Sequence, residues 1–374
     1  MDAVILAGGV GTRLQPLTYF YPTCLVPLVN KAFIEYQLEL LQKHGIGRVA
    51  LSAGYMSDAV ERHVGDGSKW DLRVKTVVEQ ETLGTAGGLR YTVKRAVNPT
   101  ATEVIVICGD ILTDLNLTEA IACHRALGGA ATLVTVDDHG VDTLEIGSSQ
   151  GRVAVGDGGR VIRFISRDNE LTLEGDRQDE GGMEILAATG ICILNREVIG
   201  SFPSRQGLSL TDHVLPALVE SGEDIYVARQ DAYVLDIGTL KGYMQAHRDI
   251  LDGIYETEIE GKEIAPGVWA GRQHKVHRLS EVTGPVVLGR NAYVGAHAQV
   301  RPYTVVGAKC SIDPETVVSE SVILDNCWVA KGAVIEASIV QDGTLVGTNS
   351  HLKGAIIGAG SVLGAGTGNW LLRV

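Results

Sequence analysis

An α/β domain followed by a parallel β-helix is the fold this sequence predicts, on three observations. Residues 1 to about 252 alternate short β-branched runs with longer helical patterns, the grammar of a sheet layered between helices. From about residue 285 an aliphatic side chain recurs every six residues, a beat that helical periodicity cannot produce. The stretch between them, 253–284, is polar and poorly periodic and reads as a connector, leaving 285–374 as the second domain. With 374 residues, 45% of them hydrophobic, the chain is long enough for a separate core in each half.

In the first half AVILA, RVALSA, VKTVV, EVIVIC and ATLVTV are the early strands. They are apolar nearly throughout rather than alternating, which predicts a sheet covered on both faces, with ligands outside the carboxyl ends of its strands. Between the first two strands, Lys31 to His44 predicts a crossover helix. Ile34, Leu38 and Leu41 share one face, Lys43 and His44 fall near the end, and Gly45 supplies the stop. In the second half Leu288, Val294, Val300, Val306, Ile312, Val318 and Leu324 stand six apart, with Gly, Asn, Asp or Pro at many corners (LGRNAY, VGAHAQ, VRPYTV, VGAKCS, IDPETV). One aliphatic per face pointing inward beside a turn residue is what each β-helix coil needs. The beat slips after Leu324 and resumes at Val340, Val346 and Leu352, then at Ile357 and Leu363, so irregular corners are expected there. Exposed coil ends and flat faces predict a homo-oligomer assembled through this half.

Composition narrows the function. The formal net charge of −13 argues against a surface built to neutralise nucleic acid or to sit on an anionic membrane. Six scattered cysteines, with no Cys-x-x-Cys pair and no zinc spacing, read as reduced thiols of a cytoplasmic protein. Met1-Asp2 passes straight into a short apolar run without a basic leader, and no stretch reaches the ~18 apolar residues of a membrane span.

The chemistry-bearing stretch is GGVGTRLQPLTYFYPTC, directly after the first strand. Gly8, Gly9 and Gly11 allow backbone conformations in which peptide N–H groups converge on an anion, and Arg13 adds a planar cation suited to phosphate oxygens. The pattern is neither the dinucleotide fingerprint nor a Walker loop. Asp110 follows the strand EVIVIC and a glycine, and Asp236 follows AYVL, so each carboxylate sits at a strand end. Alone, either reads as a cap or turn residue. LGTAGG, containing Gly84 and Thr85, reads as a helix start with small residues, and a turn explains Gly151 and Gly190.

These stretches resemble the sugar-1-phosphate nucleotidyltransferases, and most of all their mannose-1-phosphate guanylyltransferase branch. The resemblance rests on LAGGVGTRLQPLT (6–18), GYMSDAVERHVGDGS (54–68), LGTAGGLR (83–90), CGDILTDLNL (108–117) and LDIGTLKGY (235–243), and covers nearly the whole chain. It implies a Rossmann-like domain with a mixed central sheet and a left-handed hexapeptide β-helix. It also implies attack of a sugar-1-phosphate oxygen on the α-phosphorus of a nucleoside triphosphate, GTP favoured, with Mg2+ and release of pyrophosphate. By the same resemblance Arg13, Asp110 and Asp236 are catalytic and the two aspartates hold the metal. Leu6, Ala7, Gly8, Gly9, Gly11, Thr12, Arg13, Gly84 and Thr85 bind nucleotide, and Gly151, Arg167 and Gly190 bind the sugar phosphate. Nothing in these residues by itself distinguishes guanine from thymine, uracil or adenine.

The family pattern is broken in places. Thr23 and Cys24 follow Pro22 where relatives have a phosphate-binding Lys, the loss of a charge-assisted contact worth about 1.5–3 kcal/mol. Lys31, nearby, is retained. Ser166 and Arg167 replace the usual Glu and Lys, and Cys192 stands where relatives often have Tyr. Two hypotheses follow: an active enzyme with an altered acceptor pocket, for a modified sugar or a cyclitol phosphate, or a catalytically weak paralogue that binds nucleotide sugar and controls a partner. Retention of Arg13, Asp110 and Asp236 favours the enzyme. An acyltransferase using His297 or His351 is disfavoured, since both stand at corner or surface-like positions.

Overall fold

The structure is a computed structural model that describes residues 1–137, 151–165, 183–203 and 207–368. It divides into two compact units. One comprises Met1–Leu14, Tyr21–Leu25 and Phe33–Tyr243; the other comprises Gln15–Phe20, Val26–Ala32 and Met244–Val374.

The first unit is built on a nine-stranded mixed sheet. Strands β1 (Asp2–Ala7), β2 (Arg48–Ala53), β3 (Arg73–Val78) and β4 (Glu103–Cys108) run parallel, with β1 between β2 and β4. After them come β5 (Ile111–Thr113), β6 (Ala131–Asp137), β7 (Arg152–Val155), β8 (Val161–Ile165), β9 (Glu184–Asn195), β10 (Ile225–Arg229) and β11 (Val234–Asp236). The long β9 runs antiparallel to β4, β6 and β7, which makes the sheet mixed. Strands β1, β2 and β4 bury almost every side chain, as their unbroken apolar runs require, whereas β3 at the sheet edge leaves Arg73, Lys75 and Val78 exposed.

Helix α1 (Phe33–Lys43) begins two residues later than the sequence pattern suggests, because Lys31–Ala32 pairs antiparallel with Pro27–Leu28. Its end is as expected. Gly45 takes φ +70°, its N–H bonds Gln42 O, and Ile46 N bonds Leu41 O, closing the last turn. Helices α2 (Ser57–Val64), α3 (Gly84–Ala96) and α4 (Leu117–Leu127) follow their strands as crossovers.

The second unit contains a left-handed β-helix of three parallel sheets. Residues Leu288, Val294, Val300, Val306, Ile312 and Val318 are all fully buried in its core. Leu324 corrects the sequence reading: the inward residue is Ile323, which pairs with Val306 and Val340, while Leu324 lies outside the core cluster. The slip thus falls one step earlier than the pattern suggests, at the corner Ser319-Glu320-Ser321. The same short corner recurs at Glu336-Ala337-Ser338. There Ser321 Oγ accepts from Ser338 N (3.1 Å) and Ser338 Oγ accepts from Ala355 N (3.0 Å), so stacked hydroxyls pair the amides at the shortened turns. Asn291, His297, Tyr303, Lys309, Glu315, Glu320 and Asn326 all adopt positive φ at successive corners, which assigns His297 to a turn. The first coil begins at Val268, inside the stretch read as a connector. Val268–Ala270, Lys275–Val276 and Glu281–Val282 pair parallel with the next coil, and Ala270, Val276 and Val282 carry the six-residue spacing back from Leu288, although Val276 is exposed and Val282 only partly buried.

Candidate functional site

The carboxyl ends of β1 to β4 carry Gly8, Gly54, Glu79 and Asp110, the edge where ligands bind in such sheets. Close packing of backbone on backbone explains the glycines. A Cβ on Gly109 would stand 2.6 Å from Leu6 O and 3.1 Å from the Ala7 Cα, and one on Gly54 would stand 2.9 Å from Gly8 O. Gly109 N–H donates to Leu6 O (3.0 Å), tying the loop before Asp110 to the end of β1. After Gly9, Gly11 turns the chain at φ +67° into a short 3-10 turn, Thr12–Leu14. Leu14 is fully buried, and anchoring it turns Arg13 outward with 41% of its side chain exposed.

Asp110 and Asp236 are brought together by a two-stranded ladder. Strand β11 pairs antiparallel with β5, placing Asp236 opposite Ile111, and Ile237 N–H donates to Asp110 O (2.9 Å). Arg13 bridges both carboxylates: Nη1 lies 3.0 Å from Asp236 Oδ2 and Nη2 lies 3.4 Å from Asp110 Oδ2. Asp236 is 1% exposed, and a charge that buried needs partners. Its other oxygen accepts from Gly238 N–H at 2.7 Å.

Sequence reading missed three supporting residues. Gly238 is required at the centre of the cluster, since a Cβ there would stand 2.9 Å from each of Arg13 Nη2, Asp110 Oδ2 and Asp236 Oδ1. Its signal was present in the stretch LDIGT. Gln37, on α1 and 2% exposed, donates through one amide nitrogen to Cys108 O (2.8 Å) and Ile111 O (3.0 Å), clamping the chain on both sides of Asp110. Glu79 accepts from Ser52 Oγ (2.6 Å), and a Cβ on Gly8 would meet its Oε1 at 3.2 Å. Neither Gln37 nor Glu79 lies in a stretch whose spacing announces a role.

Of the remaining expected residues, Leu6, Thr85 and Gly190 line one cavity of about 150 Å³, together with Cys108 and Cys192. Gly84 opens α3 at φ +76°, where a Cβ would strike Leu208 O. The Thr85 hydroxyl accepts from Leu210 N–H (2.7 Å). Gly190, at φ +78°, lies where the β9–β6 register shifts between Ala188 and Cys192. Gly151 is joined to that segment through Ala188 N–H to Gly151 O (3.1 Å). Thr23 and Cys24 fall in a 3-10 turn, with the buried Cys24 thiol pushed up to about 12 by burial. Lys31 Nζ donates to Thr257 Oγ1 (3.3 Å). Arg167 and Ser166 lie outside the described residues.

A glycine-lined edge with one arginine between two carboxylates defines a nucleotide-handling enzyme. The chain belongs to the nucleotidyl transferase family, which matches residues 2–253, and residues 282–367 match the GMPPB C-terminal domain. It is 31% identical to a UTP–glucose-1-phosphate uridylyltransferase of Synechocystis sp., over 91% of this chain and 87% of that protein. It is 30% identical to a mannose-1-phosphate guanylyltransferase of Mycobacterium tuberculosis, over 90% of this chain and 83% of that protein. Among solved structures, HddC from Yersinia pseudotuberculosis complexed with GMP-PN superposes with a TM-score of 0.52 at 27% identity, covering 66% of this chain and 97% of HddC. The protein is therefore a sugar-1-phosphate nucleotidyltransferase, an enzyme of a family that is typically metal-dependent. No helix among the described residues is long and apolar enough to cross a membrane.

Proposed function

We propose that the protein transfers a guanylyl group from GTP to a mannose-like sugar-1-phosphate, or to a cyclitol phosphate of similar shape, and releases pyrophosphate. The observation that carries this reading is the convergence of Arg13, Asp110 and Asp236 on the space that Gly238 leaves open. Displacement at phosphorus needs little covalent help but needs polyanion charge quenched and reactants aligned. The glycine turn at residues 8–11 offers backbone N–H groups to the phosphates, and Arg13 offers a guanidinium to their oxygens. The sugar-phosphate oxygen attacks the α-phosphorus as the bond to the β-phosphate breaks, and pyrophosphate carries away the electron pair.

The donor set fits a hard divalent cation. Two carboxylates face one centre without thiolate or imidazole, and Mg2+ commonly takes one or two carboxylates with phosphate and water oxygens completing its shell. Asp110 and Asp236 would hold it, and its charge would offset that of the triphosphate. Gly151, Gly190 and Arg167 are assigned to the sugar phosphate, and Leu6, Ala7, Gly8, Gly9, Gly11, Thr12, Arg13, Gly84 and Thr85 to the nucleotide. Catalysis belongs to residues 1–252, with the β-helix serving self-association, in a cytoplasm that keeps the six free cysteines reduced.

Similarity to the guanylyltransferase of M. tuberculosis and to the GMP-PN complex of HddC supports guanine. Uridylyl transfer to glucose-1-phosphate is the second reading, on the similarity to the Synechocystis enzyme. Pyrophosphate release across four nucleoside triphosphates and a set of sugar-1-phosphates tests both. The proposal expects GTP with mannose-1-phosphate, or a close analogue, to give the highest kcat/KM. A preference for UTP with glucose-1-phosphate overturns it in favour of the second reading. Nucleotide-sugar binding without turnover of any pair points to the regulatory paralogue.

A further inference from the structure

The cavity beside the site has an apolar floor, which is unexpected for an enzyme whose acceptor is covered in hydroxyls. Val106, Leu133, Cys192, Leu210 and Leu215 form the buried part, and Leu6, Thr85, Gly190 and Asp212 stand nearer solvent. The polar groups lie at the rim and several bond one another rather than point at the floor. Thr85 Oγ1 accepts from Leu210 N–H at 2.7 Å, Ser209 Oγ donates to Asp212 Oδ2 at 2.7 Å and accepts from Asp212 N–H at 3.1 Å, and Ser209 and Thr211 hydroxyls lie 3.3 Å apart. Burial pushes the Cys192 thiol up to about 12, so the floor keeps a neutral thiol rather than a thiolate.

A sugar hydroxyl lowered onto Val106, Leu133, Leu210 and Leu215 would lose water and meet, among the described side chains of the floor, only the weakly bonding Cys192 thiol, which is costly. A methyl group would lose nothing and gain contact on all sides. A tyrosine in place of Cys192 would occupy space that the smaller thiol leaves open. Resting on the nucleotidyltransferase reading above, we propose that this cavity accepts a methyl-ended substituent of the acceptor. The substrate is then a sugar-1-phosphate carrying a deoxy carbon or a short acyl group, not the fully hydroxylated parent.

The test compares kcat/KM of the full-length enzyme for a hexose-1-phosphate, its 6-deoxy analogue and its N-acetylamino analogue, with each nucleoside triphosphate and magnesium. One fitted methyl in an apolar pocket gives roughly 10–200-fold discrimination. The inference expects at least one methyl-ended substrate to exceed the parent by about tenfold or more, and Cys192→Tyr to bring that ratio close to one. If the parent is used as well as or better than both analogues, the inference is overturned while nucleotidyl transfer stands. A ratio unchanged in a folded Cys192→Tyr enzyme moves the selectivity elsewhere and also overturns it. Should that variant not fold, the wild-type ratio alone decides. Failure of every pair to release pyrophosphate overturns the underlying reading, and the inference falls with it.

Discussion

Gly238 and Gln37 carry no charge to offer a phosphate, yet each constrains a carboxylate. The atoms a Cβ on Gly238 would meet are the mobile ends of Arg13, Asp110 and Asp236, so the fold can yield while the cluster cannot keep its geometry. Gly238→Ala is therefore expected to keep its melting temperature within a few degrees and to lose about 10–100-fold in kcat, or roughly 1.4–2.8 kcal/mol of transition-state stabilisation. A full-rate alanine enzyme would show that the cluster tolerates displacement. Gln37→Leu leaves the Cys108 and Ile111 carbonyls without their side-chain donor, at a stability cost of about 1–3 kcal/mol. If the clamp positions Asp110, this variant also needs more magnesium for half-maximal rate, whereas a purely structural loss lowers stability without moving that requirement. Asp110→Asn should reduce turnover to background with the fold unchanged by circular dichroism, because an amide is a poor ligand for a hard cation.

At the scale of elements, the short corners of the β-helix make a sharp case. Ser338 Oγ donates to Glu336 O (2.7 Å) and accepts from Ala355 N–H, and Ser338 is 1% exposed. Ser338→Ala buries that amide unpaired and is expected to destabilise the β-helix by about 1–3 kcal/mol, measured by denaturant unfolding. Ser319→Ala, at a less buried position where no such serine side-chain bond is made, is expected to stay within about 0.5 kcal/mol of wild type. Equal effects would remove the ladder as the cause. The six-residue beat was legible because every core residue it marks is aliphatic. Its slip was misplaced because Ile323 and Leu324 are adjacent aliphatics, and composition cannot say which points inward. The first coil went unread although Ala270, Val276 and Val282 hold the same spacing back from Leu288, because the residues between them are mostly polar or charged and mask three aliphatics set in a connector-like stretch. In the site, Arg13, Asp110 and Asp236 were legible through strand ends and motif resemblance. The ladder joining β5 to β11, and the Gln37 clamp, were not, since pairing between segments so distant in sequence leaves no local trace.

For the whole molecule, buried histidines set the acid limit. His247 is 3% exposed, and burial lowers its pKa from 6.5 to about 3. Its Nδ1 accepts from Val29 N–H at 3.4 Å, a bond only the neutral tautomer can make. Burial likewise lowers His124, which meets Thr132 Oγ1 and Asn195 Oδ1, and His44. For a folded pKa below the unfolded one, the unfolded chain takes up the proton first. Stability is therefore fully present above pH 6.5 and declines as pH falls toward about 3, the window that His247 defines. Glu35 adds a later loss. Burial alone would raise its pKa, but hydrogen bonds from His63 (2.9 Å) and Lys69 (2.6 Å) outweigh it, so the net direction is downward and its contribution fades only below 4.5. The melting temperature should thus begin to fall while the carboxylates remain ionised, which separates the histidine contribution from general acid unfolding. A tenfold change in proton affinity is worth about 1.4 kcal/mol, so His247 contributes on the order of a few kcal/mol across the window. His247→Gln retains an acceptor for Val29 N–H without a titrating group. Its melting temperature is expected to be lower near neutral pH, from imperfect packing, but to fall less steeply than wild type between about pH 6.5 and pH 5. Parallel curves for the two proteins over that interval would show that His247 is not the group whose proton uptake weakens the fold.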